Sequence, residues 1–455
     1  MSNSVPEVLK FGDVKSSIAL SLQCRALLPS LIVPLPGKSS MKIGFLYNHE
    51  QIHQVLHSAP IAFEMSRSRP DIEVRLIISS EAQHDVLSDL AKNYPGHRCQ
   101  WQRISLPAKV GWVCSRISGC IPVEKVAMLK ANVFHFADLD ALVVTEKTSL
   151  LLKTHFGLRN VRFIHTRHGA GDRAIGFDKE SGKFDLVLLS GKKIRDRLLA
   201  AGQLRNGQYV ITGYPKFSAV QAMEKTAIKL FDNDRPTVLY NPHCSTKLSS
   251  WYRFGQDILE YFYQSNKYNL IFSPHVMLFE KHLQANLHSW HIRLPGSIKS
   301  KHLHCKHIHL DTGSRRSTDM SYTLAADLYL GDVSSQVYEF LVRPRPCVFA
   351  NPGVEGWEHD PNYLSWQFGP VFNRIEQLDR ALDEGFNTHP KYRPIQSQNF
   401  SYTFDHHDGN AALRSVRAIV GYLQRQQSRP AVAKSSVAGR NQELSKPTVQ
   451  AIPIQ

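Results

Sequence analysis

A histidine inside a glycine-rich turn is the arrangement in this chain best suited to moving a proton: Arg167-His168-Gly169-Ala170-Gly171-Asp172-Arg173. Histidine takes up a proton near neutrality, which makes His168 a candidate general base. Gly169 and Gly171 let the backbone turn tightly and let a substrate, met first by Arg167, come close. The same residues also read as a tight loop carrying a surface histidine. Two further histidines follow prolines, in Tyr240-Asn241-Pro242-His243 and Phe272-Ser273-Pro274-His275, and each closes an apolar run. One such Pro-His is an ordinary turn signal. Two in successive units predict one cleft lined by His243 and His275. The third feature is Gly331-Asp332-Val333-Ser334-Ser335, set between the apolar Ala325–Leu330 and a helix-patterned Gln336–Leu341. Strand, small-residue turn and helix predict a phosphate cradle made of helical N–H groups and two hydroxyls. An ordinary serine N-cap is the plainer reading.

Two more segments carry candidate ligands. Arg315 and Arg316, ahead of Asp327, match phosphate oxygens in geometry and are expected to reach a nucleotide; a solvated loop is the alternative. Lys301-His302-Leu303-His304-Cys305-Lys306-His307-Ile308-His309 suggests zinc by composition. Its spacing fits none of the usual zinc patterns, so a polar strand edge is expected, with His302 and His304 on one face and His307 and His309 on another.

These residues need a scaffold that brings strand ends together. Short apolar runs recur at Met41–Tyr47, Val74–Ile78, Ala141–Thr145, Arg162–His165, Leu186–Ser190 and Tyr209–Thr212. A second series runs through Thr237–Tyr240, Asn269–Ser273, His307–Leu310, Asp327–Leu330 and Cys347–Ala350. Helical patterns lie between, among them Gly191–Ala201, Ser250–Gln264 and Val276–His288. The alternation predicts an α/β protein of two doubly wound, Rossmann-like domains facing a cleft, with ligands at the carboxyl ends of the strands. The expected division is an extension over 1–40, an acceptor-side domain over 41–213, a linker over 214–236, a nucleotide-donor domain with a closing helix over 237–424, and a disordered basic tail over 425–455. Met41 is an alternative start.

The 455 residues carry a formal net charge of +16. The excess predicts an anionic partner, such as a phosphorylated substrate or a membrane surface. No zinc-finger spacing or aromatic-basic RNA signature is present, so nucleic acid is not expected. The seven cysteines include no Cys-x-x-Cys pair and read as reduced thiols of a cytoplasmic protein. No apolar run is long enough to span a membrane.

The order of these segments resembles the CDP-glycerol glycerophosphotransferase family, which builds teichoic-acid-type polymers on a GT-B-like fold. The likeness runs from about Arg162 to Phe349, with a weaker echo at Asp408-Gly409-Asn410. The family's His-Gly loop, its histidine-proline element and its Asp-Tyr-Ser-Ser turn look like His168-Gly169, Pro274-His275 and Asp332-Val333-Ser334-Ser335. Val333 stands where the family has tyrosine, and Pro242-His243 where it has Pro-Thr. The resemblance implies that His168 is the base and that His275, Ser334 and Ser335 hold phosphates and stabilise the departing group. It implies a CDP-polyol or other nucleotide-activated donor, a lipid-linked or glycan acceptor, and work at the inner membrane face. No cofactor and no metal are expected. A glycosyltransferase, a UDP-sugar 2-epimerase and a non-catalytic nucleotide-binding protein are the alternatives.

Overall fold

A computed structural model of the chain describes residues 40–428 apart from residue 50 and residues 108–109, 111–122, 174–178, 224–227, 281–283, 287–290 and 294. Residues 1–39 of the expected extension and residues 429–455 of the expected tail therefore lie outside the described residues.

Two parallel sheets organise the fold. The first contains β1 (Met41–Tyr47), β2 (Ile72–Ile78), β3 (Gln100–Arg103), β4 (Ala141–Val144), β5 (Arg162–His165), β6 (Leu186–Leu189) and β7 (Tyr209–Ile211). Their order is β3-β2-β1-β4-β5-β6-β7. Later strands are β8 (Thr237–Asn241), β9 (Asn269–Phe272), β10 (Gln284–Asn286), β11 (His291–Arg293), β12 (Ile308–Leu310), β13 (Leu328–Gly331), β14 (Cys347–Ala350) and β15 (Val371–Phe372). The second sheet runs β12-β9-β8-β13-β14-β15, while β10 and β11 form a separate antiparallel pair. The architecture is α/β with two doubly wound sheets. The central strands β4, β8, β9, β13 and β14 are buried along their whole length, as helices on both faces require. Register is continuous across each sheet: Phe45 pairs with Leu76 and Val143, and Tyr240 with Phe272 and Leu330.

Helix Trp251–Gln264 shows why the covering helices form. Its buried residues Trp251, Phe254, Ile258, Leu259 and Phe262 recur at three- and four-residue spacing and close one face of the second sheet. Helix Ala411–Gln427 follows the second sheet in sequence but buries Val416, Ile419, Val420 and Leu423 in the core of the first. The connecting helix Leu378–Thr403 contains Pro390 and Pro394. Its buried Gln396 donates to the carbonyls of Arg345 and Phe368.

Two local expectations are corrected. Among the described residues of the expected helix Val276–His288, Met277–Glu280 is helical and β10 follows it. Pairing of β10 with β11 prevails where the helical apolar pattern fades after Phe279. The His302–His309 run is split between a helical turn, Ser300–Leu303, and β12, so its rings do not share strand faces. His302 is buried 3.4 Å from Glu260, His307 meets the Phe262 carbonyl at 2.8 Å, and His309 meets the Tyr322 hydroxyl at 2.9 Å.

Candidate active site

The strand ends converge on a cleft of about 600 Å³. The loops after β1, β4 and β5 line it from the first sheet, and those after β8, β9 and β13 from the second, as doubly wound topology favours.

The loop after β5 is sharply folded. Arg167, at φ 50°, and Gly169, at φ 69°, both occupy the left-handed region and flank His168. For a non-glycine residue this conformation costs about 1–2 kcal/mol. The result is a fixed imidazole: His168 Nδ1 lies 3.0 Å from the Thr145 carbonyl. A carbonyl only accepts, so Nδ1 carries the proton and Nε2 carries the lone pair. The residue is exposed to the cleft, yet desolvation by the surrounding walls lowers its pKa, and the Thr145 carbonyl opposes the shift.

The glycines of this loop let it approach the serine turn. A Cβ at Gly171 would lie 3.2 Å from the Ser335 Cβ, and one at Gly169 would lie 3.6 Å from the Ser335 hydroxyl. Asp172 anchors the loop to the second sheet's helices. It accepts from Lys193 Nζ at 2.8 Å, from the Tyr338 hydroxyl at 2.7 Å and from the Ser365 N–H at 3.1 Å. Lys193 is almost fully buried and also lies over the Tyr338 ring. Burial lowers its pKa, and Asp172 works against that. A second buried pair crosses the floor of the cleft: Lys216 donates to both carboxylate oxygens of Glu339, which also accepts from Tyr214.

The opposite wall concentrates hydrogen-bond donors. His243 Nδ1 accepts the Ser245 N–H at 2.9 Å, and His275 Nδ1 accepts the Met277 N–H at 3.3 Å. The His275 ring therefore carries its proton on Nε2, whereas His243 is approached by a donor at each ring nitrogen. Arg173 Nη1 donates toward His243 Nε2 at 3.0 Å. The two rings lie 5.2 Å apart. Burial is the main force holding both rings neutral, pushing His275 down to about 4 and His243 well below the usual range; Arg173 adds to both. Arg173 and the His275 Nε2–H, with Ser334 and Ser335 beside them, suit an anion.

His243, Cys244 and His275 bring donor atoms within 4.8 Å of one another. A metal would need the imidazole lone pairs that now accept backbone N–H groups, and would sit against Arg173. The residues therefore fit an anion better than a cation.

Of the residues expected at the site, the cleft gathers Arg167, His168, Gly169, Gly171, His243, His275, Ser334 and Ser335. Four lie elsewhere. Asp332 is fully buried and accepts from the N–H groups of His243, Ser250 and Val333 and from the Ser250 hydroxyl. It ties the exits of β8 and β13 together, and burial raises its carboxyl to about 6 against these donors. Gly331 ends β13, where a Cβ would strike the Tyr329 ring at 2.6 Å. Arg315 points outward and pairs with Asp89 on helix Glu81–Ala91. Arg316 is exposed on the same 3₁₀ turn, whose buried residue is Ser317.

Sequence reasoning passed over His53, Gln54, His57, Lys147, Tyr214, Lys216 and Glu339, which also line the cleft. A signal existed for the first group: His49, His53 and His57 recur at every fourth residue just after β1.

No curated protein sequence matches the chain. Among solved structures, one of the wall teichoic acid polymerase TagF with CDPG is 12% identical, covers 86% of this chain and 90% of its own, and superposes with a TM-score of 0.54. MnaA of S. aureus with UDP is 15% identical over 86% of this chain and 99% of its own, with a TM-score of 0.54. A UDP-N-acetylglucosamine 2-epimerase is 14% identical over 86% of this chain and 98% of its own, with a TM-score of 0.53. These likenesses show a GT-B-like fold. The sequence profile of the CDP-Glycerol:Poly(glycerophosphate) glycerophosphotransferases matches residues 122–421, most of the chain and both walls of the cleft, and on that match the chain belongs to this family of transferases.

Proposed function

We propose that the chain transfers a polyol phosphate from a nucleoside-diphosphate polyol, with CDP-glycerol the first donor to try, to a hydroxyl of a growing surface polymer. The observation that carries this reading is the opposition, across one cleft, of the His168 Nε2 lone pair to a donor cluster of Arg173, His275, Ser334 and Ser335, with His243 against Arg173. His168 takes the proton of the acceptor hydroxyl as its oxygen bonds to the distal phosphorus. The phosphoanhydride bond breaks and CMP leaves with the bond's electron pair. The donor cluster stabilises charge on the phosphates as it builds. Holding both substrates in one cleft supplies a further part of the rate. Arg173 and the His275 N–H furnish the positive potential, so activity is expected to survive chelation.

The acceptor is expected to be lipid-linked, with the enzyme held at the inner membrane face by its basic excess. Among the described residues no helix is long and apolar enough to cross a membrane. Co-sedimentation with anionic vesicles that weakens as salt rises is the expected behaviour.

The deciding experiment is a thermal-shift screen of CDP, UDP, GDP and their conjugates, followed by a CMP-release assay. A nucleotide at 100 times its dissociation constant stabilises by about 2.7 kcal/mol. Preference for a UDP-sugar, turned over without an acceptor, would replace this reading with an epimerase.

A further inference from the structure

The segment after β1 lies outside the residues matched by the family profile. Its 3₁₀ helix, Ile52–His57, carries His53, Gln54 and His57 to the cleft. His57 is 3% exposed, and its buried Nδ1 meets no polar partner. Its ring centroid lies 6.4 Å from that of His168 and 5.1 Å from that of Tyr214. Gln54 receives the Thr145 hydroxyl at 3.2 Å, beside the carbonyl that fixes His168. A buried imidazole nitrogen without a partner is costly, and two histidines one helical turn apart on one cleft wall make an ordinary core role a poor account.

The chemistry of this wall differs from that of the anion cluster. A phosphate oxygen only accepts hydrogen bonds. A neutral imidazole and a primary amide each offer a donor and an acceptor, as an alcohol does. Burial is the main reason His53 and His57 stay neutral, and Lys216 adds to it. Protonated rings would only donate.

We propose that His53, Gln54 and His57 form the acceptor subsite, which binds the hydroxyl-bearing end of a polyol and holds its terminal oxygen against His168. The proposal rests on the transferase reading above. In it, a ring N–H donates to one acceptor hydroxyl while the free ring nitrogen receives another, so the attacking oxygen keeps its proton for His168 Nε2.

The test uses the full chain and two probes, CDP and a free polyol, glycerol or ribitol. Histidine ring resonances, assigned by His→Gln replacement, are followed by NMR. The expected result is that CDP moves His243 and His275, and that the polyol then moves His53 and His57. In steady-state assays with CDP-glycerol and glycerol, His57→Phe should raise KM for glycerol at least about tenfold while leaving KM for CDP-glycerol in place. His57→Gln, which both donates and accepts, should recover most of the loss. If His57→Phe does not fold, His53→Leu takes its place, since His53 is only half-buried. A polyol that leaves both rings unmoved overturns the proposal whether or not turnover is seen, as does a parallel rise of both KM values. Absence of CDP binding or of CMP release counts instead against the transferase reading, because the ring shifts report polyol binding by themselves.

Discussion

The two walls of the cleft solve different problems with the same residue type. On the second sheet's wall, the Met277 N–H caps His275 Nδ1, so that ring presents a proton to the cleft, and Arg173 reaches His243 Nε2. On the first sheet's wall, the Thr145 carbonyl takes the His168 Nδ1 proton, so that ring presents a lone pair. Local hydrogen bonding, rather than residue identity, decides which histidine edge suits a base and which suits an anion.

The largest test of that contrast is His168→Ala. Turnover should fall by on the order of 10²–10⁴, the usual contribution of a general base. Donor affinity by calorimetry should stay near the parent value. A stable variant with parental single-turnover rate would remove the lone-pair wall from the mechanism.

The connection between the walls can be broken next. Lys193→Met leaves Asp172 buried without its cation, and removing one partner of a buried pair costs about 3–5 kcal/mol. Chemical denaturation should show a loss of that size. Exposed Arg315→Ala, which breaks only a surface pair with Asp89, should cost under about 1 kcal/mol. Equal losses would mean that the Asp172 knot does not hold the lobes together.

The anion wall is sharpened by replacing Ser334 and Ser335 with Ala together. Nucleotide affinity should weaken by about 1–3 kcal/mol, the range for hydrogen bonds to charged groups. Isothermal titration on the folded double variant decides this. An unchanged dissociation constant would restrict the anion site to Arg173 and His275.

The smallest expected effect is a pH dependence of stability. His275 titrates near 4 in the folded chain, below the ordinary 6.5, because burial excludes its charged form. The unfolded chain therefore binds the proton first. The stability this ring contributes is fully present above pH 6.5 and is lost as pH falls from 6.5 through about 4. His49, His53, His57, His165 and His243 are shifted the same way, burial being the leading cause in each. Asp332, raised from 3.8 to about 6, acts in reverse: its contribution is greatest below 3.8 and is lost as pH rises to about 6. Six histidines outweigh one carboxyl, so the urea midpoint should drop between pH 7 and pH 5. His275→Gln should flatten that drop, and an unaltered slope would show that its ring does not titrate with folding.

Much of this was legible along the chain. The limits of β5 and β14 follow from apolar runs bounded by polar residues and turns, a pattern local enough to read directly. His168, His243, His275, Ser334 and Ser335 were legible because each stands just past such a run, where doubly wound sheets place their ligands. Tertiary structure alone decided what those residues do. β3, Gln-Trp-Gln-Arg, has no apolar pattern and exists because β2 offers it an edge. Asp332 and Ser334 are neighbours but part ways, since the turn buries the first beneath three N–H groups and leaves the second on the cleft. The helical connection Leu378–Thr403 survives Pro390 and Pro394, with residues such as Gln396 bonded to the second sheet's loops. The tautomer of each histidine depends on a partner close in space: for His168 that is Thr145, a residue far away in the chain. Periodicity along a sequence reports which faces are apolar. It carries no information on which distant carbonyl or carboxylate will meet a given ring, and that meeting sets the chemistry of the cleft.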